Sequence, residues 1–98
     1  MNINKELNGN EMVVMLEGKL DTTTAPQLEE EMKPAMEEAE KIILDFEKLE
    51  YISSAGLRVL LSAQKVMVKK GGMTIKNVNE TIMDIFEVTG FVDILTIE

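Results

Sequence analysis

The chain contains no cysteine, no histidine and no tryptophan. Without cysteine there is no disulfide framework, no thiolate zinc site and no thiol nucleophile. Without histidine the commonest general base, the commonest metal ligand and the usual phosphohistidine carrier are all missing. A serine hydrolase therefore has no obvious base, and no catalytic residue is assigned. The Gly-x-x-x-x-Gly-Lys pattern of a phosphate-binding loop and the ligand spacing of an EF-hand are also missing, so neither a nucleotide cofactor nor a metal is expected. Positive charge is in short supply, with ten Lys and Arg against eighteen Asp and Glu and a net charge of −8. That balance argues against nucleic acid and against an anionic membrane surface as partners. No apolar run approaches the ~20 residues of a membrane span. The opening MNINKELNGN lacks the apolar stretch of a signal peptide, so a cytoplasmic location is expected. Aromatics are few, three Phe and one Tyr, and eight Met take up part of the space they would fill.

What is present is a globular mixture of 45% hydrophobic and 29% charged residues, enough for one domain over residues 1–98. A short strand is predicted near Ile3 to Leu7, followed by Asn8-Gly9, a dipeptide suited to a tight hairpin turn. The second strand, Glu11 to Leu16, holds five consecutive apolar residues, which predicts burial on both faces, and Gly18 ends it. A helix follows from Thr24, where Thr24-Ala25-Pro26-Gln27 fits a capping box. Leu28, Met32, Ala35, Met36 and Ala39 form its apolar stripe, and Pro34 predicts a kink or a restart. Lys41 to Phe46 reads as the central strand, Glu47 to Ser53 as a loop, and Ser54 to Lys70 as the second long helix, closed by Gly71-Gly72. Met73 to Asn77 is a further strand. Asn79 caps a third helix with Ile82, Ile85 and Phe86 inward, Gly90 closes it, and Phe91 to Ile97 returns as the last strand. The expected fold is α/β: a mixed sheet that opens with an antiparallel hairpin and continues through parallel crossovers, with helices packed on it.

The segment with the most chemical content is Leu49-Glu50-Tyr51-Ile52-Ser53-Ser54-Ala55-Gly56-Leu57-Arg58. A buried strand leads into two serines and a helix that begins with small residues. Ser53 or Ser54 can simply cap that helix, and Gly56 can be small because the helix packs close to the sheet. A phosphate at the same place would be favoured by free backbone amides and by the helix dipole.

This run resembles the signature of the anti-sigma factor antagonist family, within the wider STAS domain family. That signature often reads Asp-Ser-Ser/Thr-Gly-Leu, with the first Ser after the Asp phosphorylated. The counterpart here is Ser53-Ser54-Ala55-Gly56-Leu57, and Gly56 and Leu57 set the register. Gly18-Lys19-Leu20-Asp21 resembles the family's Gly-x-Leu-Asp, and Val88-Thr89-Gly90-Phe91 its late Thr/Ser-Gly-apolar turn. Ser53 stands where many relatives carry Asp, and Ala55 where many carry Ser or Thr.

The resemblance implies Ser54 as phosphoacceptor, with Ser53 as the alternative. It implies a partner surface made of Asp21, Thr22, Thr23, Thr24, Ser53, Ala55, Gly56 and Arg58. Arg58 would either pair with an acidic partner or lie close to a phosphate on Ser54. The partners implied are an anti-sigma factor that is also a serine kinase, and a serine phosphatase. The alternative is a STAS module that never switches, a scaffold or regulatory subunit of a signalling or transport complex, in which Ser54 is only a cap. A monomer is expected, with weak pairing through an edge strand left open.

Overall fold

Period-2 alternation of apolar residues builds the sheet. The computed structural model describes residues 1–98. Its elements are β1 (Asn2–Asn8), β2 (Glu11–Leu20), α1 (Ala25–Glu38), β3 (Lys41–Ile52), α2 (Ser54–Met67), β4 (Met73–Lys76), α3 (Glu80–Thr89) and β5 (Thr96–Ile97). A single 3-10 turn at Phe91–Asp93 precedes β5. The strands lie in the order β1-β2-β3-β4-β5. The β1–β2 pair is antiparallel and the other three pairs are parallel, as the element order predicts.

Because the strands follow one another in a single direction, right-handed crossovers place every helix on the same face of the sheet. Three side-chain contacts confirm that placement. Lys5, whose β2 partner is Val14, forms an ion pair of 2.8 Å with Glu31 of α1. Phe46 of β3 meets Phe86 of α3 with ring centroids 6.5 Å apart. Gly56 of α2 lies against Leu20 and Ile52. The core sits between these layers and holds Leu16, Leu28, Met32, Leu44, Leu60 and Met67 at almost zero exposure.

One-sided coverage corrects the expectation for β2. Met12, Val14 and Leu16 are fully buried, whereas Val13 and Met15 are only half-buried on the uncovered face. The second correction concerns β3, which does not stop at Phe46 but runs on through the residues expected as a loop. Register shifts between Met15 and Glu17 and between Gly18 and Lys19 place one extra β3 residue at each step. Two bulges convert the burial period from two to three, so Phe46, Leu49 and Ile52 point inward. The Asp45 carboxylate accepts from the Glu47 amide at 3.0 Å and from the Asn77 side chain at 2.9 Å, steadying the first bulge. Asn79 does the same farther along. Its side-chain oxygen caps α3 by accepting from the Ile82 amide, and its nitrogen donates to the Leu49 carbonyl.

Helix ends also differ from the expectations. α1 passes through Pro34 without a restart; Pro34 and Glu30, whose carbonyl loses its donor, are both exposed, so water can take the missing bond. α2 stops at Met67, because the Gly72 amide turns back onto the Met67 carbonyl at 2.9 Å, and Val68 is left 65% exposed. The last strand shrinks to two residues because Gly90, with φ +82°, turns the chain into the 3-10 segment.

Gly56 tests the packing directly. A methyl group there would lie 2.7 Å from Leu20 Cγ and 2.8 Å from Ile52 Cγ1, both atoms in the middle of buried side chains. Relief of helix glycine is worth roughly 1 kcal/mol, and overpacking costs about 1–3 kcal/mol. Gly56→Ala is expected to destabilise, lowering the thermal midpoint by about 5 °C. A rise in midpoint would show that this seam has slack.

Candidate functional site

The site begins where two parallel strands end together. Leu20 closes β2, and its carbonyl accepts the Ser53 amide at 2.8 Å, tying the exit of β2 to the exit of β3. Gly56 then lets the first turn of α2 settle onto Leu20 and Ile52. The Asp21–Thr24 turn and the start of α2 are thereby held side by side.

Asp21 organises the turn. Its Oδ1 accepts from the Thr23 hydroxyl at 2.7 Å, the Thr23 amide at 3.0 Å and the Thr24 amide at 3.2 Å. Its own amide donates to the Thr24 hydroxyl, which in turn donates to the Lys19 carbonyl, each at 2.8 Å. The capping box expected from Thr24 and Gln27 does not form. Thr24 is the N-cap residue but makes no side-chain cap bond, and Gln27 donates instead to the Met1 carbonyl. Asp21 takes over the capping role by an Asx-type turn, and its position ahead of three threonines was the available signal. The Thr23 hydroxyl is the main reason the Asp21 carboxyl lies below its ordinary value of 3.8. Partial removal from water opposes this, and the amides of Thr24 and Thr23 with the Thr24 hydroxyl reinforce it.

The two serines are placed differently. Ser53 is the N-cap of α2, with φ −101° and ψ 177°, yet its side chain makes no cap bond. Its Oγ is shielded from solvent and has no hydrogen-bond partner. Ser54 is the first helical residue and is exposed. The first amide within α2 to find a carbonyl is that of Leu57, which donates to Ser53 at 3.0 Å. The amides of Ser54, Ala55 and Gly56 therefore have no intrahelical acceptor. Arg58, also exposed, lies one turn further along, within reach of a group on Ser54. A shallow groove of about 230 Å³ runs between the two helix starts, lined by Thr22, Pro26, Glu29, Ala55, Arg58 and Ser62.

The structure thus gathers the residues singled out in the sequence into one region, in three roles. Thr22, Thr23, Ser54 and Arg58 are exposed, Asp21, Thr24, Ser53 and Ala55 are half-buried, and Gly56 is buried in the packing seam. One feature of the region escaped the sequence reading. From Tyr51 to Asn79 the chain has no acidic residue, but it carries Arg58, Lys65, Lys69, Lys70 and Lys76. Neighbouring α1 is strongly acidic, with Glu29, Glu30, Glu31, Glu37 and Glu38 against Lys33. A charge count by element, rather than over the whole chain, reveals this contrast. No three acidic side chains converge as a metal cluster would require. No helix is long and apolar enough to cross a membrane.

A family model described as the STAS domain matches residues 2–98. The anti-sigma-B factor antagonist of Bacillus subtilis (strain 168) is 32% identical over 100 residues, spanning 99% of this chain and 92% of the relative. An anti-sigma factor antagonist from Mycobacterium paratuberculosis, of known crystal structure, superposes with a TM-score of 0.89 at 21% identity, over 98% of this chain and 83% of its own. The anti-sigma factor antagonist SpoIIAA in its unphosphorylated form superposes at 0.76 with 20% identity, over 99% of this chain and 87% of its own. The phosphorylated form of the Bacillus cell fate determinant SpoIIAA gives 0.76 at 21% identity, over 99% of this chain and 91% of its own.

The Asp21 turn carries a pH prediction. A carboxyl whose folded pKa is lowered contributes stability that is complete above its unfolded value of 3.8 and fades as pH falls toward the folded value. Asp21→Asn should therefore be less stable than the parent at pH 7, with the gap narrowing as the pH is taken below about 4. Urea midpoints of both proteins across that range check this. A gap independent of pH would remove the carboxylate from the account.

Proposed function

The chain belongs to the STAS domain family, and on that footing we propose that it is an anti-sigma factor antagonist switched by phosphorylation of Ser54. In the unmodified state it binds an anti-sigma factor that is also a serine kinase, and binding frees the sigma factor. The kinase transfers the γ-phosphoryl group of ATP to the Ser54 hydroxyl, and a serine phosphatase removes it. This chain is the substrate in both reactions, so no catalytic residue of its own is needed. The observation that carries the reading is the contrast between the two serines. Ser54 is exposed at the start of α2, whereas the Ser53 oxygen is closed off from solvent.

The off-switch follows from charge. A phosphoserine adds about −1.5 to −2 charges. At the first position of α2 it would meet the unbonded amides of the first turn, with Arg58 one turn away, and these favour the phosphate in the free protein. In the complex the same phosphate would be trapped between two surfaces and lose its water. No large rearrangement is needed, because the first-turn amides are free and Arg58 is an exposed side chain one turn along. The partner surface comprises the Asp21–Thr24 turn, the entry to α2 and the exposed side of α2.

Three variants test this by calorimetric titration with the anti-sigma factor and by intact mass after incubation with its kinase activity. Ser54→Ala should bind as the parent does and gain no phosphate. Ser53→Ala should still gain it. Ser54→Asp should bind about a hundredfold more weakly, near 3 kcal/mol. Unchanged binding by Ser54→Asp would sink the electrostatic switch and favour a STAS module that acts as a constant scaffold.

A further inference from the structure

The face of the sheet opposite the helices carries a pattern that the proposed function does not use. Parallel strands are ordinarily covered on both faces, yet β2 and β3 are covered on one only, while Thr74 of β4 is buried on this side. The strand registers fix which side chains stand on the bare face and in which row. One row runs Asn8, Glu11, Lys41; the next Glu6, Val13, Ile43, Thr74. The third runs Asn4, Met15, Asp45, Lys76, and the last Asn2, Glu17, Lys48. Asn4, Met15, Glu17, Asp45, Glu47 and Lys48 line a hollow of about 270 Å³, with Leu16 at its floor.

Two register pairs on this face set an acid of β2 beside a lysine of β3, Glu11 with Lys41 and Glu17 with Lys48, with Glu6 on β1 and Lys76 on β4 flanking them; Asp45 and Glu47 are acids of β3 on the same side. None of these is in an ion pair; the ion pair of the structure, Lys5–Glu31, lies on the other face. Between them Val13 and Ile43 form a half-buried apolar centre.

We infer that this face is a self-complementary surface that takes a second copy of the chain. Consider a two-fold axis parallel to the strands and passing between β2 and β3. It sets the β2 side of one copy over the β3 side of the other, row by row. Glu11 then faces the second copy's Lys41, Glu17 faces its Lys48, and Val13 faces its Ile43. Asn4 faces its Lys76, and Met15 faces its Asp45, whose carboxylate is already held by Asn77 and the Glu47 amide. Each of these contacts is made twice, as an isologous interface requires. Two sheets packed this way form an aligned sandwich about 10 Å thick. Strands β1 to β3 over about seven residues and β4 over its four, about 4.8 Å apart, offer roughly 400 Å² per copy. That is at the small end of specific interfaces, so association is weak and depends on concentration and salt. The helices lie on the far side, so both copies keep the α2 entry free.

Sedimentation equilibrium on the full chain tests this. At low salt, the average mass should climb from 11.0 kDa toward twice that value as concentration rises from about 0.05 to 1 mM, and 0.5 M salt should reverse the climb. Glu11→Lys with Glu17→Lys makes all four facing positions 11, 17, 41 and 48 basic, and Lys41→Glu with Lys48→Glu makes all four acidic. Each double variant alone should stay monomeric. Mixed in equal amounts they should associate at least as tightly as the parent, which also shows that both are folded. A parent that stays at 11.0 kDa throughout, or double variants that self-associate as the parent does, would overturn the inference. The second result would place any pairing at an edge strand instead.

Discussion

The site depends on one close approach, that of the first turn of α2 to the ends of β2 and β3. Gly56 admits it by lacking a side chain, and the Ser53 amide locks it by bonding to the Leu20 carbonyl. Leu20 and Ile52 are buried as a direct result. Because α2 starts so near the sheet, its first exposed residue is Ser54, and the Asp21 turn that leaves Leu20 is its neighbour. A helix set farther out would separate these pieces and admit water to the Ser53 hydroxyl. Packing and site geometry are therefore the same constraint seen twice.

The elements that could be read in advance were those whose burial period stays constant. The first half of β3, the stripes of α1 and α3, and the Asn79 cap all follow directly from spacing, while β1, almost wholly exposed, follows from the Asn8-Gly9 turn that pairs it with β2. The second half of β3 did not, because two bulges change its period within a single strand, and Glu47-Lys48 and Glu50-Tyr51 then look like a polar loop. One-sided burial of β2 was also hidden. A run such as Met12 to Leu16 looks the same whether one face or both are covered, and only the strand order decides. At the site, the short motif containing Ser54 was legible and so was the proximity of Asp21. The capping was not, since an Asp three residues ahead of the N-cap competes with the Thr24 box and wins by accepting from two amides and a hydroxyl.

Net charge describes this molecule poorly. A value of −8 conceals a positive α2–β4 segment and a strongly negative α1 beside it. Fields of opposite sign on adjacent helices orient an approaching partner before contact, which governs association rate more than final affinity. The uncovered sheet face repeats the theme at shorter range, with Glu11 and Glu17 of β2 beside Lys41 and Lys48 of β3.

The strand order β1-β2-β3-β4-β5 also bears on how the chain assembles. Each strand pairs with the one laid down just before it, so no strand waits for a distant partner. Every crossover closes a loop of modest length, which keeps the entropy of each closure small and the contact order low for a mainly parallel sheet. Growth can proceed from the amino-terminal hairpin outward as the chain is synthesised, and the only unpaired growing edge at any stage is the newest strand. The two-residue β5 then finishes the sheet with an edge too short to template another chain.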